Sequence, residues 1–377
     1  MTPALFTPFQ LRDLTLKNRI VISPMCQYSA TEGLADDWHM AQYGRFAMGG
    51  AGLVILEATA VSPEGRITAG DLGLWEDAQV PGLARIAGFL KAQGAAAGIQ
   101  LGHAGRKASA QRPWHGNGPL GQADIDAGRE APWPTVAPSA LPVAENWPTP
   151  AALDMAGIER LKSAYAQAAR RALAAGFDVV ELHAAHGYLL HQFLSPLSNR
   201  RDDLYGGDAA GRMRLPLEIA QEIRAIWPAD KPVFIRVSAV DHIDGGLEIE
   251  DTIAFAAALK SAGIDLVDCS SGGLTGAATA GRVPRGLGFQ TGYAQAVRQQ
   301  AGIASMAVGL ILDAAQAEDI LAKGRADLIA IGRAALDDPN WPLHAHRALC
   351  GETYDIWPPQ SGWWLERRAA ILRALDT

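Results

Sequence analysis

Two histidines three residues apart belong to the string His183-Ala184-Ala185-His186-Gly187-Tyr188, which ends an apolar run. Two imidazoles can donate hydrogen bonds to one oxygen and polarise the bond that is conjugated to it. The phenol of Tyr188, two residues beyond His186, could supply a proton. The string therefore indicates a site that grips a substrate oxygen and delivers a proton nearby.

Other polar groups interrupt or end further apolar runs. Gln100 carries both a donor and an acceptor and could bind an amide-like ring edge. Arg236 lies inside an apolar run, where a buried guanidinium requires a partner, and it could stabilise negative charge beside the ring of a reduced cofactor. Gly309 and Gly332-Arg333 end two late runs, and glycine N–H groups with a guanidinium suit a phosphate monoester.

Eight short apolar runs separated by helical patterns would position these residues. Continuous apolar runs of this length suit parallel strands that are buried on both faces. Eight alternations favour an α/β fold of the (β/α)8 TIM-barrel type over a doubly wound sheet, with residues 1–377 as one domain. Barrel active sites lie at the carboxyl ends of the strands. The runs are Arg19–Met25, Gly52–Val61, Ala97–Gly102, Val179–Ala185, Val233–Ala239, Leu266–Ser271, Ser305–Gly309 and Leu328–Gly332.

Two helices have recognisable ends in the sequence. Asp154 is a candidate N-cap, and Gly176 stands where that helix should end. Its apolar face comprises Ile158, Leu161, Tyr165, Ala168 and Ala172. Asp313 followed by Gln316 is typical of a reciprocal cap, and Gly324 ends the helix that follows.

Two segments do not fit the repeat. Residues 110–150 are rich in Pro, Gly and Trp and follow the third strand, so we expect them to cap the pocket. Residues 352–377 form an aromatic and basic tail after the last barrel helix.

Composition excludes several classes of protein. Hydrophobic residues make up 49% of the chain and charged residues 19%, a globular profile, while the net charge of −7 argues against nucleic-acid binding. No apolar run reaches the roughly 18 residues of a membrane span, and the N-terminus has no signal-peptide pattern. The three cysteines are far apart, which fits a reducing, cytoplasmic compartment and cannot supply four thiolates to an iron–sulfur cluster.

Taken together, the motifs resemble the Old Yellow Enzyme family, specifically its bacterial branch typified by YqjM and xenobiotic reductase A. The resemblance covers nearly the whole chain. The strings that carry it are Ser23-Pro24-Met25-Cys26-x-Tyr28, Glu57-Ala58-Thr59-Ala60 leading to Gly65-Arg66-Ile67-Thr68, His103-Ala104-Gly105-Arg106-Lys107, His183-x-x-His186-Gly187-Tyr188, Ser198-Asn199-Arg200-Arg201-Asp202-x-x-Tyr205-Gly206-Gly207, and Ala330-Ile331-Gly332-Arg333.

The resemblance implies an FMN-dependent ene-reductase. It implies reduction of the flavin by NADPH or NADH and hydride transfer from flavin N5 to the β-carbon of an activated alkene, such as an α,β-unsaturated carbonyl. The residues that it assigns to the flavin are Ser23, Pro24, Met25, Cys26, Ala58, Gln100, Arg236, Gly332 and Arg333. Gly309 joins this set because it ends the seventh strand.

The same resemblance gives roles at the substrate side. His183 and His186 would bind the activating carbonyl, and Tyr188 would protonate the α-carbon. Tyr28 would assist substrate binding, while Cys26 would modulate the flavin potential.

The resemblance also points to an oligomer. Lys107 would lie near the flavin and the pocket. A neighbouring subunit's tail would reach into the site with Trp364 or Arg367, in a homodimer or homotetramer. Val308 stands where the xenobiotic reductase A relatives carry a tryptophan, so the pocket shape should differ from theirs.

Competing interpretations make different demands on these residues. A metal-dependent barrel hydrolase needs several His or Asp ligands around one cation, and the chain offers one histidine pair without a carboxylate cluster. A non-catalytic phospholigand-binding barrel would need Gly332-Arg333 but neither the histidines nor Tyr188. The iron–sulfur dienoyl-CoA reductase branch would need the cysteine cluster that is missing. Singly, Cys26 could be a buried hydrophobe and Tyr188 a packed aromatic.

No motif of a dinucleotide-binding fold is present in the sequence. The nearest glycine-rich string, Gly286-Leu287-Gly288, lacks a third glycine and does not follow a clear strand. We therefore expect the nicotinamide to dock transiently over the flavin, without a domain of its own.

Overall fold

Eight parallel strands close into a barrel, and the order of strands around it follows the chain. The computed structural model describes residues 2–275, 283, 285–351 and 353–375. Its strands are β1 (Phe9–Leu11), β2 (Leu14–Leu16), β3 (Ile20–Ile22), β4 (Leu53–Ala60), β5 (Ala96–Gly102), β6 (Val136–Ala137), β7 (Ala151–Ala152), β8 (Val179–Ala184), β9 (Val233–Ser238), β10 (Leu266–Ser270), β11 (Ala304–Ala307) and β12 (Leu328–Ile331). The barrel strands are β3, β4, β5, β8, β9, β10, β11 and β12. The predicted TIM barrel is therefore confirmed.

Helices follow the barrel strands along the chain. They are α1 (Asp37–Met48), α2 (Val80–Ala92), α3 (Gln122–Asp126), α4 (Met155–Ala174), α5 (Leu189–Leu194), α6 (Ala209–Ile226), α7 (Ile249–Ser261), α8 (Thr291–Ala296), α9 (Ala314–Ala322), α10 (Arg333–Asp337), α11 (Trp341–Cys350) and α12 (Pro359–Leu375). None of those within the described ranges combines the length and the apolarity needed to cross a bilayer.

Each barrel strand is buried on both faces, which explains the continuous apolar runs. Val180 and Leu182 belong to the outer core cluster packed against the helices, whereas Val179 belongs to a separate cluster inside the barrel. Because side chains alternate along a strand, Glu181 and His183 share the inward face with Val179. Because inward and outward side chains alternate along each strand, every second residue lies in the barrel interior. These inward residues are apolar in the lower part of the barrel and polar towards the carboxyl ends of the strands.

The predicted helix ends are largely confirmed. The Asp154 carboxylate accepts a hydrogen bond from the N–H of Gly157 and caps α4, whose predicted apolar face is buried. The Asp313 side chain likewise accepts from the N–H of Gln316. The Gln316 side chain, however, accepts from Leu312 and not from Asp313, so the predicted reciprocal cap is half formed. Gln316 bonds instead to the loop that leaves β11.

The first predicted strand is shorter in the structure. Pairing with its neighbours extends only over Ile20–Ile22, because the chain then leaves the sheet as a loop. The N–H of Gln27 in this loop donates to the buried carboxylate of Glu57 on β4. Next to Glu57, the register of β4 shifts between Leu56 and Ala58, which is a bulge.

The segment 110–150 holds short elements where the sequence indicated only a loop. It contains α3 and β6, and β6 pairs with β7 directly after the segment. Nε of Arg112 donates to the carbonyl of Tyr28 at 2.9 Å, so the segment is tied to the first strand's loop, beside the carboxyl end of the barrel. In the tail, residues 359–375 form α12, whereas residues 352, 376 and 377 lie outside the described set.

Candidate functional site

A cavity of about 230 Å³ opens at the carboxyl end of the barrel. Residues from β9, β10 and the loops after β3, β8, β11 and β12 line it, so most of the predicted cofactor residues meet there. The predicted residues in its wall are Ser23, Pro24, Met25, His186, Arg236, Gly309, Gly332 and Arg333. A second, water-sized cavity of about 10 Å³ adjoins Ala58, His183 and Tyr188.

The histidine pair takes its geometry from a strained turn after β8. The ring centroids of His183 and His186 lie 5.2 Å apart, with the ring planes almost perpendicular. His186 adopts a positive φ of 59°, and its N–H donates to Ser238 Oγ on β9. A Cβ atom on Gly187 would lie 2.2 Å from the carbonyl oxygen of Gly273, so only glycine fits between the two loops.

Both imidazoles are held neutral. Burial lowers the pKa of His183 and of His186 well below the usual value, and the charge of Arg236 lowers them further. Nδ1 of His183 accepts from the N–H of Ala185, which leaves Nε2 as the nitrogen that carries hydrogen. Nε2 of His186 lies 2.7 Å from Ser270 Oγ, and this contact fixes the second ring.

Tyr188 packs edge-on against His183, with ring centroids 4.8 Å apart. Burial raises the pKa of its phenol, and the neighbouring acidic groups of Cys26 and Asp71 raise it further. Tyr188 therefore carries its proton at neutral pH. A phenol that keeps its proton beside an oxygen-binding pair is suited to be a general acid.

Lys107 supports this turn through its ammonium group. Its Nζ lies 5.2 Å from the Tyr188 ring centroid and donates to the carbonyls of His186 at 2.8 Å and Gly273 at 2.9 Å. Burial lowers the pKa of this amine to about 7, and the adjacent Arg106 charge contributes. Lys107 thus joins the loops after β8 and β10.

Cys26 and Tyr28 form a small cluster with β4. The Cys26 thiol lies beside Tyr28 and the backbone of Ala58 at the bulge. Burial, with the charges of Asp71 and Glu57, raises the pKa of Cys26, so the thiol stays protonated. Tyr28 has a positive φ of 53°, and the hydrogen bond from Arg112 to its carbonyl helps to hold this strained backbone.

A charged layer lies one step deeper in the barrel. Nε2 of Gln100 donates to Glu181 Oε1 at 2.8 Å, and Nε of Arg236 lies 3.1 Å from Asp268 Oδ2. Glu181 and Asp268 are fully buried, and Gln100 and Arg236 nearly so. Gln100 and Arg236 are thus anchored from below by two carboxylates.

The remaining predicted residues, Trp364 and Arg367, lie elsewhere. Both are on α12, where Trp364 is 68% exposed and Arg367 stacks on the ring of Trp363 at 3.9 Å. The structure of the single chain does not bring them to the cavity.

Sequence reasoning missed several residues of the site. Glu181 and Asp268 each interrupt an apolar run at an inward position, the same signal that singled out Arg236. Ser270, which holds His186, occupies the next inward position after Asp268. Arg112 gave no signal, because its partner Tyr28 is far away in sequence.

Among the described residues, no group of three or more His, Cys, Asp or Glu side chains is arranged to hold a metal ion. The three cysteines are all free thiols.

Comparison with known proteins identifies relatives over nearly the whole chain. The model of the NADH:flavin oxidoreductase / NADH oxidase family matches residues 4–351. The NADPH dehydrogenase of Bacillus subtilis (strain 168) is 46% identical over 365 residues, covering 96% of this chain and 100% of that protein. The NADPH dehydrogenase of Geobacillus thermodenitrificans is 44% identical over 351 residues, covering 93% of this chain and 95% of that protein.

Solved structures are also similar to this protein over nearly the whole chain. Morphinone reductase superposes with a TM-score of 0.76 at 29% identity, covering 92% of this chain and 90% of that one. The Old Yellow Enzyme homologue from Zymomonas mobilis superposes with a TM-score of 0.72 at 26% identity, covering 96% of this chain and 98% of that one. The chain therefore belongs to the NADH:flavin oxidoreductase / NADH oxidase family, as an FMN-dependent NADPH dehydrogenase of the Old Yellow Enzyme type.

Proposed function

We propose that this enzyme is an ene-reductase, which reduces the C=C bond of α,β-unsaturated carbonyls and similar activated alkenes. The observation that carries the proposal is the neutral pair His183 and His186 with protonated Tyr188 beside it. Neutral imidazoles can donate to a carbonyl oxygen without protonating it, and the phenol can then protonate the adjacent carbon. One structural relative is named morphinone reductase and another 2-naphthoyl-CoA reductase.

The residues of the main cavity fit FMN. Ser23 Oγ is buried without a hydrogen-bond partner in the structure, and so is available to a ligand. Gly309 has a φ of 116°, where a Cβ atom would lie 2.9 Å from side chains of Phe289 and Gln290. The exposed guanidinium of Arg333 suits the phosphate, with the glycine N–H groups beside it.

We assign the ring to the other side of this cavity. Pro24, Met25, Cys26 and Ala58 would contact its edge and face, and Gln100 and Arg236 would bind its polar edge. Held by these residues, FMN would supply the redox chemistry, which is electron uptake from NADPH and hydride transfer to the β-carbon of the alkene. NADH is the alternative reductant, and either nicotinamide would dock on the cavity face that the alkene later occupies.

The substrate would be held from three sides. His183 and His186 would donate to its activating oxygen, and Tyr28 would lie across the ring face from Tyr188. Trp114 of the capping segment packs edge-on against Tyr28, with centroids 6.1 Å apart, and extends this aromatic wall. Lys107 would act by holding the His186–Tyr188 turn in place.

We also propose that α12 packs on a second copy of the chain, in a homodimer or homotetramer. Gly362 is the buried residue of this helix, whereas most of its large apolar side chains are exposed. These are Trp363 (51%), Trp364 (68%), Ile371 (63%), Leu372 (47%) and Leu375 (75%). Burial in an oligomer would remove this apolar surface from water.

The decisive experiment follows the flavin spectrum of purified enzyme under anaerobic conditions. We expect oxidised FMN to bleach on addition of NADPH and to recover when 2-cyclohexenone is added. Cyclohexene, whose double bond is not activated, is the matched control and should leave the flavin reduced. Bleaching by NADPH without recovery by the enone would contradict the ene-reductase proposal and leave the NADPH dehydrogenase intact.

Replacing both histidines tests their role. We expect the double variant His183→Ala, His186→Ala to slow flavin reoxidation by the enone by about 10²–10³-fold, the usual effect of lost oxyanion donors. Because the pKa of each imidazole lies below its ordinary value, both stay neutral as the pH rises through about 6–8. The two histidines should therefore add no pH dependence of their own to the enone affinity over that range. An equal loss in reduction by NADPH would contradict a role in binding the carbonyl.

Tyr188→Phe removes the acid while keeping the ring against His183. The expected result is a loss of about 10²–10⁴-fold in enone reduction, measured by stopped-flow reoxidation of the reduced flavin. Tyr293→Phe is a suitable control, because that phenol packs against His242 and not against the histidine pair. An unchanged rate in Tyr188→Phe would assign proton delivery to solvent or to another group.

The tail proposal is tested with two arginines of the same helix. Arg367→Ala should raise KM for the enone if α12 enters a neighbouring site. Arg373→Ala, which removes the surface contact to Glu366, should not. Light scattering gives the oligomeric state in parallel. A monomer, or identical KM values for both variants, would refute the entry of the tail into a partner's site.

A further inference from the structure

Two buried carboxylates lie inside the barrel directly below the proposed flavin residues. Glu181 on β8 and Asp268 on β10 are both 0% exposed. Their strands flank β9, and alternate strands of such a barrel contribute to the same interior layer. Along the strand pairs, Gln100 is in register with Glu181 and Arg236 is in register with Asp268.

The carboxylate oxygens accept few hydrogen bonds for groups that are so deeply buried. Oε2 of Glu181 and both carboxylate oxygens of Asp268 have no hydrogen-bond partner in the structure, because the contact of Asp268 with Arg236 is an ion pair without hydrogen-bond geometry. Buried polar atoms are usually hydrogen-bonded, and an exception needs an explanation such as an exchangeable proton. Neither a helix cap nor a turn uses these oxygens, since both residues lie within strands.

Charge counting gives the reason. Two polar side chains face the pair. Arg236 from β9 is the cation beside Asp268, and Gln100 from β5 places its neutral amide beside Glu181. The registered neighbours Phe234 and Met306 are apolar. One guanidinium can balance one carboxylate, so the second must bind a proton or remain an uncompensated buried charge.

The pKa values of the two carboxyl groups agree with this count of charges. Burial raises the pKa of Glu181 to about 8, and the negative charge of Asp268 adds to the effect, which Arg236 partly offsets. Burial also raises the pKa of Asp268, against the charge of Arg236. The pair therefore holds one proton at neutral pH and loses it on the alkaline side.

We infer that the Glu181–Asp268 pair is a redox-linked proton site, which binds a proton from solvent when the flavin above it is reduced at alkaline pH. This inference rests on the proposed placement of the flavin over Gln100 and Arg236. Reduction by NADPH brings hydride, two electrons and one proton, to a neutral ring, which thereby gains one negative charge. That charge favours protonation of the carboxylate below it.

The cycle balances in atoms and charge. On reduction, NADPH becomes NADP⁺ and the pair takes up one H⁺ from the solvent-connected cavity that Arg236 lines. On reoxidation, hydride goes to the β-carbon of the alkene and Tyr188 supplies the proton at the α-carbon. Tyr188 is then reprotonated by solvent. The pair releases its own proton to solvent, so it changes the driving force but contributes no atom to the product.

The test is the pH dependence of the flavin midpoint potential in wild type and in Glu181→Gln. The amide of this variant would mimic the protonated acid at every pH, so the two potentials should run parallel below about pH 7, where Glu181 is protonated. Above about pH 8, wild type should fall more steeply, because reduction there requires one extra proton. The extra fall is tenfold per pH unit in the reduced-to-oxidised ratio, or about 30 mV per unit for two electrons.

Glu218→Gln is the matched control. Glu218 also loses a carboxylate in this variant, but it lies on α6 at an ion pair with Lys162, outside the barrel interior. Its potential should keep the wild-type pH dependence. Bound FMN is quantified from the spectrum in all three proteins, so that loss of the cofactor is seen separately.

Two results would overturn the inference. One is a wild-type potential with no additional fall between about pH 8 and about pH 10, which decides the matter even if Glu181→Gln does not fold. The other is a Glu181→Gln protein that retains FMN and the full wild-type dependence. Failure of enone turnover would instead reject the proposed substrate, since the potential is measured without any alkene.

Discussion

Burying polar groups inside a closed barrel costs free energy, and the interior of this protein is organised around that cost. Every barrel strand directs alternate side chains inward, and the lower positions, such as Val179, Phe234 and Leu266, form an apolar plug. Above the plug the same faces carry Glu181, His183 and Asp268. These groups are almost without solvent, so their charge states are set by their neighbours. Burial in this one place gives the site both its neutral imidazoles and its shared proton.

The neutral state of the imidazoles follows from Arg236 as well as from burial. A protonated histidine beside a guanidinium would place two positive charges close together, and the structure avoids this because both histidine pKa values are lowered. The cation is kept one layer deeper, against Asp268. The two imidazoles are thereby uncharged hydrogen-bonding groups, and the charge of Arg236 is paired with a carboxylate.

Precision at the mouth is achieved through backbone contacts between loops. Gly187 and Gly273 approach so closely that a side chain at Gly187 would collide with the opposite carbonyl. Lys107 and Arg106 then donate to carbonyls of these loops, and Arg106 also reaches the capping segment at Leu141. The turn that carries His186 and Tyr188 is therefore fixed from several directions, although its backbone at His186 is strained.

The sequence predicted the barrel and most of the cavity wall because both depend on local patterns. Apolar runs mark strands, and the last residues of each run fall at one end of the barrel. The interaction of Arg112 with Tyr28 and the bulge at Ala58 could not be predicted, since each depends on contacts between distant segments. The helix α12 was missed for a different reason: most of its large apolar side chains do not pack on its own chain, so they give no periodic buried face.

Glu181 and Asp268 show where a local pattern was present but not used. Arg236 attracted attention because a cation in a strand needs a partner, and the same reasoning applies to the acids that provide one. The inward phase places Glu181 two residues before His183 and Asp268 two residues before Ser270. Counting the charged residues at the inward positions of the strands would have found two acids, Glu181 and Asp268, for one base, Arg236. That imbalance, and not any single residue, is what makes the interior of this barrel responsive to the redox state of a flavin above it.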